Sequence, residues 1–233
     1  MTWLLLFVGL AHADAQADLT TAASKDLSET VRMAAFGRLV ELGSTDMAVV
    51  SETSVDDAAD ARKRWVSIRA LGKIRGDRSR DLLTRLIDDP MPAIRTAAAG
   101  AMGDFGDHSF LAKLNAKLAD PAVIVRAAAA AAVGQIGDGS SVKFLSDALD
   151  HRRSFFRGRS LWVRRHYVEA MGAIGDKGAY PALLRSLNDK DETVIAAAVD
   201  ALERIAGFDF SKGRTADKER EAWRRWVSAQ LRK

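Results

Sequence analysis

A stripe of apolar residues recurs along the chain at one fixed spacing. Measured from an arginine near the start of each copy, apolar residues stand one position before it and four, seven and ten positions after it. In one copy these residues are Val163, Val168, Met171 and Ile174. The spacing follows one face of an α-helix. Alanine fills most positions between, which favours helix formation and keeps the helix thin. The pattern therefore predicts a series of amphipathic helices.

The arginine recurs at intervals of 32, 31, 31 and 38 residues, and a sixth copy has isoleucine in its place after a further 31. The six positions are Arg32, Arg64, Arg95, Arg126, Arg164 and Ile195. A Gly-Asp pair ends four of the stripes, where glycine suits a left-handed helix end and aspartate caps the next helix. A second apolar stripe follows each pair. Because such a two-helix unit cannot bury both faces alone, we predict an all-α fold, an α-solenoid of about six stacked helix-turn-helix repeats.

The motif Asp-x-x-x-x-(Val/Ile)-Arg-x-x-Ala-x-x-x-(Leu/Met/Val)-Gly-x-Ile-Gly-Asp resembles the HEAT repeat, in the short variety found in phycobilin lyase subunits. The resemblance covers about residues 26–208. It implies a scaffold with a concave protein-binding face, and a ladder of hydrogen bonds and ion pairs between neighbouring repeats. The residues assigned to that structural ladder are Asp26, Asp89, Asp120, Arg32, Arg64, Arg95, Arg126 and Arg164. Because Asp189 faces Ile195, we expect the last repeat to break the ladder.

Composition narrows the chemistry. A chain without cysteine has no disulfide, no thiolate nucleophile and no cysteine-ligated metal site. None of its four histidines precedes a glutamate, as the di-iron ligands of the HEAT-like deoxyhypusine hydroxylases do. We therefore expect a protein-binding scaffold without catalysis, cofactor or metal. An enzyme or enzyme subunit of the HEAT-like lyase or hydroxylase kind is the alternative. A nucleic-acid-binding HEAT-like protein is less favoured, because the basic excess of +4 is concentrated in one segment and the tail.

The 38-residue interval adds about seven residues to one repeat, and we predict an irregular insertion at residues 151–159. Residues 151–166 hold six arginines and no acidic residue. Arginine and aromatic side chains together can pair with carboxylates and stack on flat groups. We predict that this segment binds another protein with an acidic surface. The alternative is a long loop whose aromatics fold back on the core, with its arginines solvated or paired with Asp150 and Asp189. The candidate binding residues are Arg152, Arg153, Phe155, Phe156, Arg157, Arg159 and Trp162.

The C-terminal segment, residues 212–233, predicts a helix with Trp223, Trp226, Val227 and Leu231 on one face. The exposed end of a repeat stack needs covering, so we interpret this helix as a cap. The alternative is a basic amphipathic helix that lies on a membrane surface.

The N-terminal segment has the pattern of a secretory signal. A short apolar run from Trp3 to Leu10 is followed by Ala-His-Ala and Ala-Asp-Ala, which a signal peptidase accepts. We predict a signal peptide over residues 1–15 and an exported protein, periplasmic if the source is a Gram-negative bacterium. A buried N-terminal helix in a cytoplasmic protein is the alternative.

Overall fold

The computed structural model describes residues 2–44 and 47–232, with side chains from residue 11 onward. Helices make up nearly all regular structure in these ranges, which confirms the predicted all-α class. The helices are α1 (Thr2–Ala23), α2 (Glu29–Gly43), α3 (Ala48–Val55), α4 (Ala61–Ile74), α5 (Asp77–Leu86), α6 (Pro92–Phe105), α7 (Leu111–Lys117), α8 (Val123–Ile136), α9 (Val142–Asp150), α10 (Val163–Ile174), α11 (Tyr180–Ser186), α12 (Glu192–Ala206) and α13 (Ala216–Gln230). A short hairpin of two strands, β1 (Phe155–Phe156) and β2 (Arg159–Ser160), lies between α9 and α10.

The repeat arginines all lie near the start of a helix, in α2, α4, α6, α8 and α10, and Ile195 takes the matching place in α12. The apolar stripe is buried as the spacing predicts: Val163, Val168 and Met171 of α10 have no exposed surface. The buried face of α2 begins one turn later than in the other copies. Val31, the first residue of its apolar stripe, is exposed, and the next buried residue is Ala35.

The chain divides into two compact units, Met1–Phe105 and Gly106–Lys233. In the first unit, α2 packs against α1 and α4, and α4 packs against α6. In the second unit, α10 packs between α8 and α12, while α13 packs on α11 and α12. Within each unit, then, helices that start with the repeat residue pack side by side.

Glycine at one helix position allows this close packing. A Cβ atom on Gly172 of α10 would lie 2.7 Å from the Cβ of Ala201 in α12, and one on Gly134 of α8 would lie 3.0 Å from the Cα of Ala170. Both glycines stand eight residues after the repeat arginine. Neighbouring helices therefore contact each other through the small glycine and alanine residues that the sequence places on their faces.

The predicted Gly-Asp turns occur at three of four positions. After α8, for example, Gly137 ends the helix in the left-handed conformation, and the carboxylate of Asp138 accepts from the backbone N–H of Ser140 at 2.8 Å. The pair Gly76-Asp77 differs, because Arg75 also has a positive φ of 64° and Asp77 lies inside the first turn of α5.

Candidate functional site

The repeat arginines from Arg64 to Arg164 are buried and hold the loops in front of their own helices. Arg126 donates from Nη1 to the backbone carbonyls of Asp120 at 2.8 Å and Pro121 at 3.2 Å. Arg95 does the same with the carbonyls of Asp89 and Pro90. An aspartate six residues before the arginine thus contributes its main-chain carbonyl to that arginine.

The aspartate carboxylates instead reach the arginine of the preceding repeat. Asp89 accepts from Nη2 of Arg64 at 2.8 Å, and Asp189 pairs with Nη2 of Arg164 at 2.7 Å. Asp189 thus still belongs to the ladder through Arg164. The last repeat ends the ladder, as expected, because the Ile195 side chain has no guanidinium to donate to a carboxylate. Among the described residues, no hydrogen bond or ion pair joins the predicted pair Asp26 and Arg32.

The predicted irregular insertion contains a tight β-hairpin, where the alternative interpretation gave a long loop. Phe155 pairs with Ser160 and Phe156 with Arg159 in an antiparallel register. The two residues at the tip, Arg157 and Gly158, have φ values of 49° and 74°. Two consecutive positive φ angles match the twist of the flanking strands and are typical of two-residue hairpin turns.

The base of the hairpin is fixed to the repeats around it. Arg126 donates from Nη2 to the carbonyl of Arg153 at 3.0 Å, and the Arg153 guanidinium donates to the carbonyl of Ala119 at 2.8 Å. The buried hydroxyl of Ser154 donates to the carbonyl of Ala148 at 2.7 Å. Arg153 therefore serves to anchor the hairpin.

One aromatic residue of the hairpin faces inward. The guanidinium carbon of Arg164 lies 4.4 Å from the ring centre of Phe155, and its Nη1 donates to the hydroxyl of Ser160 at 3.1 Å. A buried arginine over an aromatic face is a favourable cation–π contact. Two of the candidate binding residues, Phe155 and Arg153, therefore hold the hairpin against the neighbouring repeats.

Five candidate residues face outward. Phe156 is 63 % exposed and Trp162 49 % exposed, and Arg152, Arg157 and Arg159 are exposed as well. Arg157 lies over the ring of Phe156, 5.3 Å from its centre. Within the described residues, none of these three arginines forms an ion pair. The alternative interpretation holds for one arginine of residues 151–166, because Arg164 pairs with Asp189, whereas Asp150 pairs with Arg185.

Trp162 connects the hairpin to a groove in the second unit. Its ring meets that of His166 edge to face at 5.2 Å, and Nδ1 of His166 lies 3.0 Å from a carboxylate oxygen of Glu169. Both His166 and Glu169 line the groove, which has a volume of about 340 Å³. Alanine and glycine residues of α8, α10 and α12 line it as well, together with the charged Asp200 and Arg204.

Tyr167 and Asp191 have shifted pKa values, and both shifts arise from contacts within the fold. Burial raises the pKa of the Tyr167 hydroxyl, which donates to the carbonyl of Leu118 at 3.4 Å. The hydroxyl of Thr193 holds the pKa of Asp191 below its ordinary value, with the charge of Arg164 as a smaller cause. Asp191 accepts from the backbone of Thr193 and caps α12.

The C-terminal helix buries part of the face that the sequence predicts to be apolar. Trp223 and Val227 have no exposed surface, Trp226 is half-buried and Leu231 is exposed. Trp223 stacks on Phe208 at 5.4 Å and meets Phe210 edge to face at 4.8 Å. The helix therefore covers α11 and α12 with the residues that a membrane-bound helix would insert into lipid.

A second exposed tryptophan, Trp65, was not among the residues predicted from the sequence to have a function. Trp65 of α4 is 45 % exposed and lies beside Arg69. It directly follows the repeat arginine, a position that other copies fill with methionine, threonine, alanine or arginine. That contrast was visible in the aligned copies.

The described residues offer neither a metal site of clustered side chains nor a membrane-spanning helix. In these ranges there is no group of three or more histidine, aspartate or glutamate side chains placed to hold a metal ion. Nor is any helix there both long and apolar enough to cross a lipid bilayer.

The family model described as HEAT repeats matches residues 53–132, 113–203 and 154–216, together more than half of the chain. The chain belongs to the HEAT-repeat family. The match confirms both the resemblance inferred from the motif and the α-solenoid class. No curated protein sequence matches this HEAT-repeat chain.

Solved structures with a similar fold include the complex of CpcE and CpcF of phycocyanin lyase from Nostoc sp. PCC7120, at a TM-score of 0.57 and 23 % identity. The match covers 72 % of this chain and 65 % of that one, so the HEAT-repeat chain spans less than two thirds of that relative. An engineered protein matches with a TM-score of 0.54 and 18 % identity, over 83 % of this chain and 89 % of its own. Human deoxyhypusine hydroxylase reaches a TM-score of only 0.37 at 18 % identity, over 87 % of this chain and 99 % of its own.

Proposed function

We propose that this HEAT-repeat chain is a non-catalytic scaffold that binds another protein through the outer face of its hairpin. The outer face consists of Phe156, Trp162, Arg152, Arg157 and Arg159. The observation that carries the proposal is the contrast between the two sides of the hairpin. Its inner side is fixed by hydrogen bonds from Arg126 and Ser154, while its outer side presents two large aromatic rings and three arginines that form no ion pair with any described residue.

Such a surface suits an acidic partner. Tryptophan and arginine are enriched among the residues that dominate binding energy at protein interfaces, and an aromatic ring supplies a large contact area with few rotatable bonds. A guanidinium pairs with a carboxylate through two parallel hydrogen bonds. Because the hairpin backbone is already held in place, binding costs little ordering of the chain.

The groove below Trp162 extends the proposed surface onto α8, α10 and α12. Its floor of small residues leaves room for side chains of the partner, and Glu169, Asp200 and Arg204 offer polar contacts. The phycocyanin lyase structure is a complex of CpcE and CpcF, so a related fold there takes part in a protein assembly. At 23 % identity that likeness supports the proposal through the fold alone.

Export belongs to the proposal as well. Of the described side chains of α1, the buried ones are Ala15, Asp18, Leu19, Ala22 and Ala23. Cleavage after Ala13 would therefore retain every one of them. The apolar run from Trp3 to Leu10 and the Ala-His-Ala and Ala-Asp-Ala sites after it support an exported protein, so we infer an envelope or periplasmic partner.

The test is capture of a partner from an envelope extract by the tagged mature chain. Replacing Arg152, Arg157 and Arg159 by glutamate is expected to abolish capture, because it places like charges opposite an acidic partner. Arg153 stays unchanged, since its guanidinium anchors the hairpin. Replacing Phe156 and Trp162 by alanine is expected to reduce affinity for the captured partner at least about tenfold.

A matched control reverses three exposed arginines elsewhere, Arg62, Arg78 and Arg232. It changes the net charge equally, so it is expected to leave capture intact. Both triple variants are compared by circular dichroism and thermal melting. Equal capture by the hairpin variant and the wild type would overturn the proposal, as would loss of capture in both variants.

A further inference from the structure

The first unit contains a separate surface around Trp65 that the proposed function does not use. Trp65, Arg69 and Lys73 are spaced four residues apart on α4 and share one face of the helix. The guanidinium carbon of Arg69 lies 5.9 Å from the ring centre of Trp65. Gly100 and Asp104 of α6 lie next to this row. We call these five residues the Trp65 surface.

The position of Arg69 depends on Gly100. A Cβ atom at residue 100 would collide with Nη1 of Arg69, so the absence of a side chain there is what admits the guanidinium. Glycine inside a helix weakens that helix, yet Gly100 lies in the interior of α6. Asp104 completes the arrangement by pairing with Nη2 of Arg69 and with Nζ of Lys73 at 3.1 Å.

The charges around Asp104 do not balance. Arg69 and Lys73 share the carboxylate of Asp104, and Arg75 donates to its backbone carbonyl at 3.4 Å. Lys73 and Arg75 are exposed, and Arg69 is partly exposed. A second carboxylate would therefore be attracted to this face beside the exposed ring of Trp65.

We propose that the Trp65 surface binds a short acidic segment of a partner protein. A large apolar side chain of the segment stacks on Trp65, and a carboxylate about one helical turn away bridges Arg69 and Lys73. The orientation of Arg69 is set before binding, which lowers the entropic cost of the contact. The surface lies in the first unit, so the inference does not depend on the hairpin.

Single-stranded nucleic acid is the competing occupant, because a base can also stack on tryptophan. The geometry favours a protein segment over it. The Trp65 surface includes one aromatic ring, and its two cations, Arg69 and Lys73, lie on a single helix. Binding a phosphate backbone calls for a basic stripe along several repeats.

The probe is a displayed library of random 12-residue peptides, selected against the full chain and counter-selected against its Trp65→Ala variant. Clones that need Trp65 are expected to combine aspartate or glutamate with leucine, phenylalanine or tryptophan. For such a peptide, Trp65→Ala is expected to raise Kd at least tenfold in fluorescence polarisation. A labelled single-stranded DNA 12-mer serves as the second probe.

Gly100→Ala separates binding from folding. The added methyl group displaces only the flexible end of Arg69, so the variant is expected to melt no lower than the wild type while Kd rises about five- to tenfold. Gly37→Ala is the matched control, since nothing lies within 4 Å of the Cβ it would add, and it is expected to leave Kd unchanged.

Three results would overturn the inference. One is a selection in which no clone depends on Trp65. Another is a set of Trp65-dependent clones without acidic residues, and the third is DNA binding that Trp65→Ala abolishes. Clones that the counter-selection removes and whose binding is lost in Phe156→Ala belong to the hairpin, so the two proposals can fail separately.

Discussion

Arg126 donates from Nη2 to the backbone carbonyl of Arg153, 3.0 Å away. The same guanidinium donates from Nη1 to the carbonyls of Asp120 and Pro121, so one buried side chain joins the loop before α8 to the base of the hairpin. The equivalent arginine of an earlier repeat, Arg64, meets the Asp89 carboxylate instead. The acceptor that the insertion supplies to Arg126 is thus a backbone carbonyl, whereas the acceptor that Asp89 supplies to Arg64 is a carboxylate.

Replacing Arg126 by alanine is expected to destabilise the protein by about 3 kcal/mol or more, because buried carbonyls lose their donor. Urea unfolding measures this loss. Amide exchange should also quicken at Leu161, whose N–H donates to the carbonyl of Ser154 at the hairpin base. Lys190→Ala, at an exposed site, is the control and should change stability by less than about 0.5 kcal/mol. Equal unfolding curves for Arg126→Ala and the wild type would contradict the anchoring role.

Gly172→Ala is expected to lower stability by roughly 1–3 kcal/mol, because the new methyl group meets the backbone and Cβ of Ala201 on a packed helix. Gly37→Ala should have the opposite sign. Gly37 lies in α2 with open space around it, so alanine should stabilise by about 0.5–1 kcal/mol through helix propensity. Thermal melting of both variants checks the pair, and a stable Gly172→Ala would show that α10 and α12 can separate at no cost.

Glu203 provides a test of pH dependence. Burial raises its pKa in the folded state, and the nearby charge of Glu219 adds to the effect. The folded protein therefore holds this proton more tightly than the unfolded chain, and stability falls as pH rises past the ordinary glutamate pKa of about 4.3. Glu203→Gln should stabilise the protein at pH 7, and the gain should vanish below about pH 4. A gain that persists at acidic pH would contradict this.

Asp209 should show the opposite sign. The Ser211 hydroxyl donates to its carboxylate at 2.7 Å and is the main cause of its lowered pKa. Ionised Asp209 therefore stabilises the protein at pH values above its pKa in the unfolded chain. This stability is lost as the pH falls through its pKa in the folded protein. Asp209→Asn should destabilise at pH 7 and have little effect under strong acid. Unfolding curves collected from pH 3 to pH 8 compare both variants directly.

Trp223→Ala is expected to cost about 3–5 kcal/mol, because it leaves a cavity beneath α13 among Phe208, Phe210 and Trp226. Leu231→Ala, on the same helix but exposed, should change stability by less than about 0.5 kcal/mol. Chemical denaturation followed by circular dichroism distinguishes them. Equal small effects would show that α13 contributes little to the second unit.

A chain that starts at Asp14 should melt like the full sequence, because it keeps Leu19 and the pair between Asp18 and Arg38 at 2.6 Å. A chain that starts at Ser24 loses both and should melt lower. If the protein is exported as proposed, mass spectrometry of material from the envelope should find its first residue near Asp14 or Gln16. An intact Met1 in that material would contradict export.

The sequence by itself determined the repeating helices, since their period, their glycine ends and their apolar stripes are properties of neighbouring residues. It also marked the arginine-rich insertion and the buried face around Trp223, because each interrupts or ends a regular pattern. These features are local, so spacing along the chain was enough to find them.

Tertiary structure decided which groups meet. Asp89 lies six residues before Arg95, yet its carboxylate pairs with Arg64, because neighbouring repeats bring the earlier arginine within reach. Packing likewise turned Phe155 inward and left Phe156 outside, and it placed Arg69 over Gly100 from another helix. Contacts between residues about 30 apart in sequence depend on how the helices pack. The spacing of residues along the chain predicts the helices, but it does not predict the direction that each side chain takes.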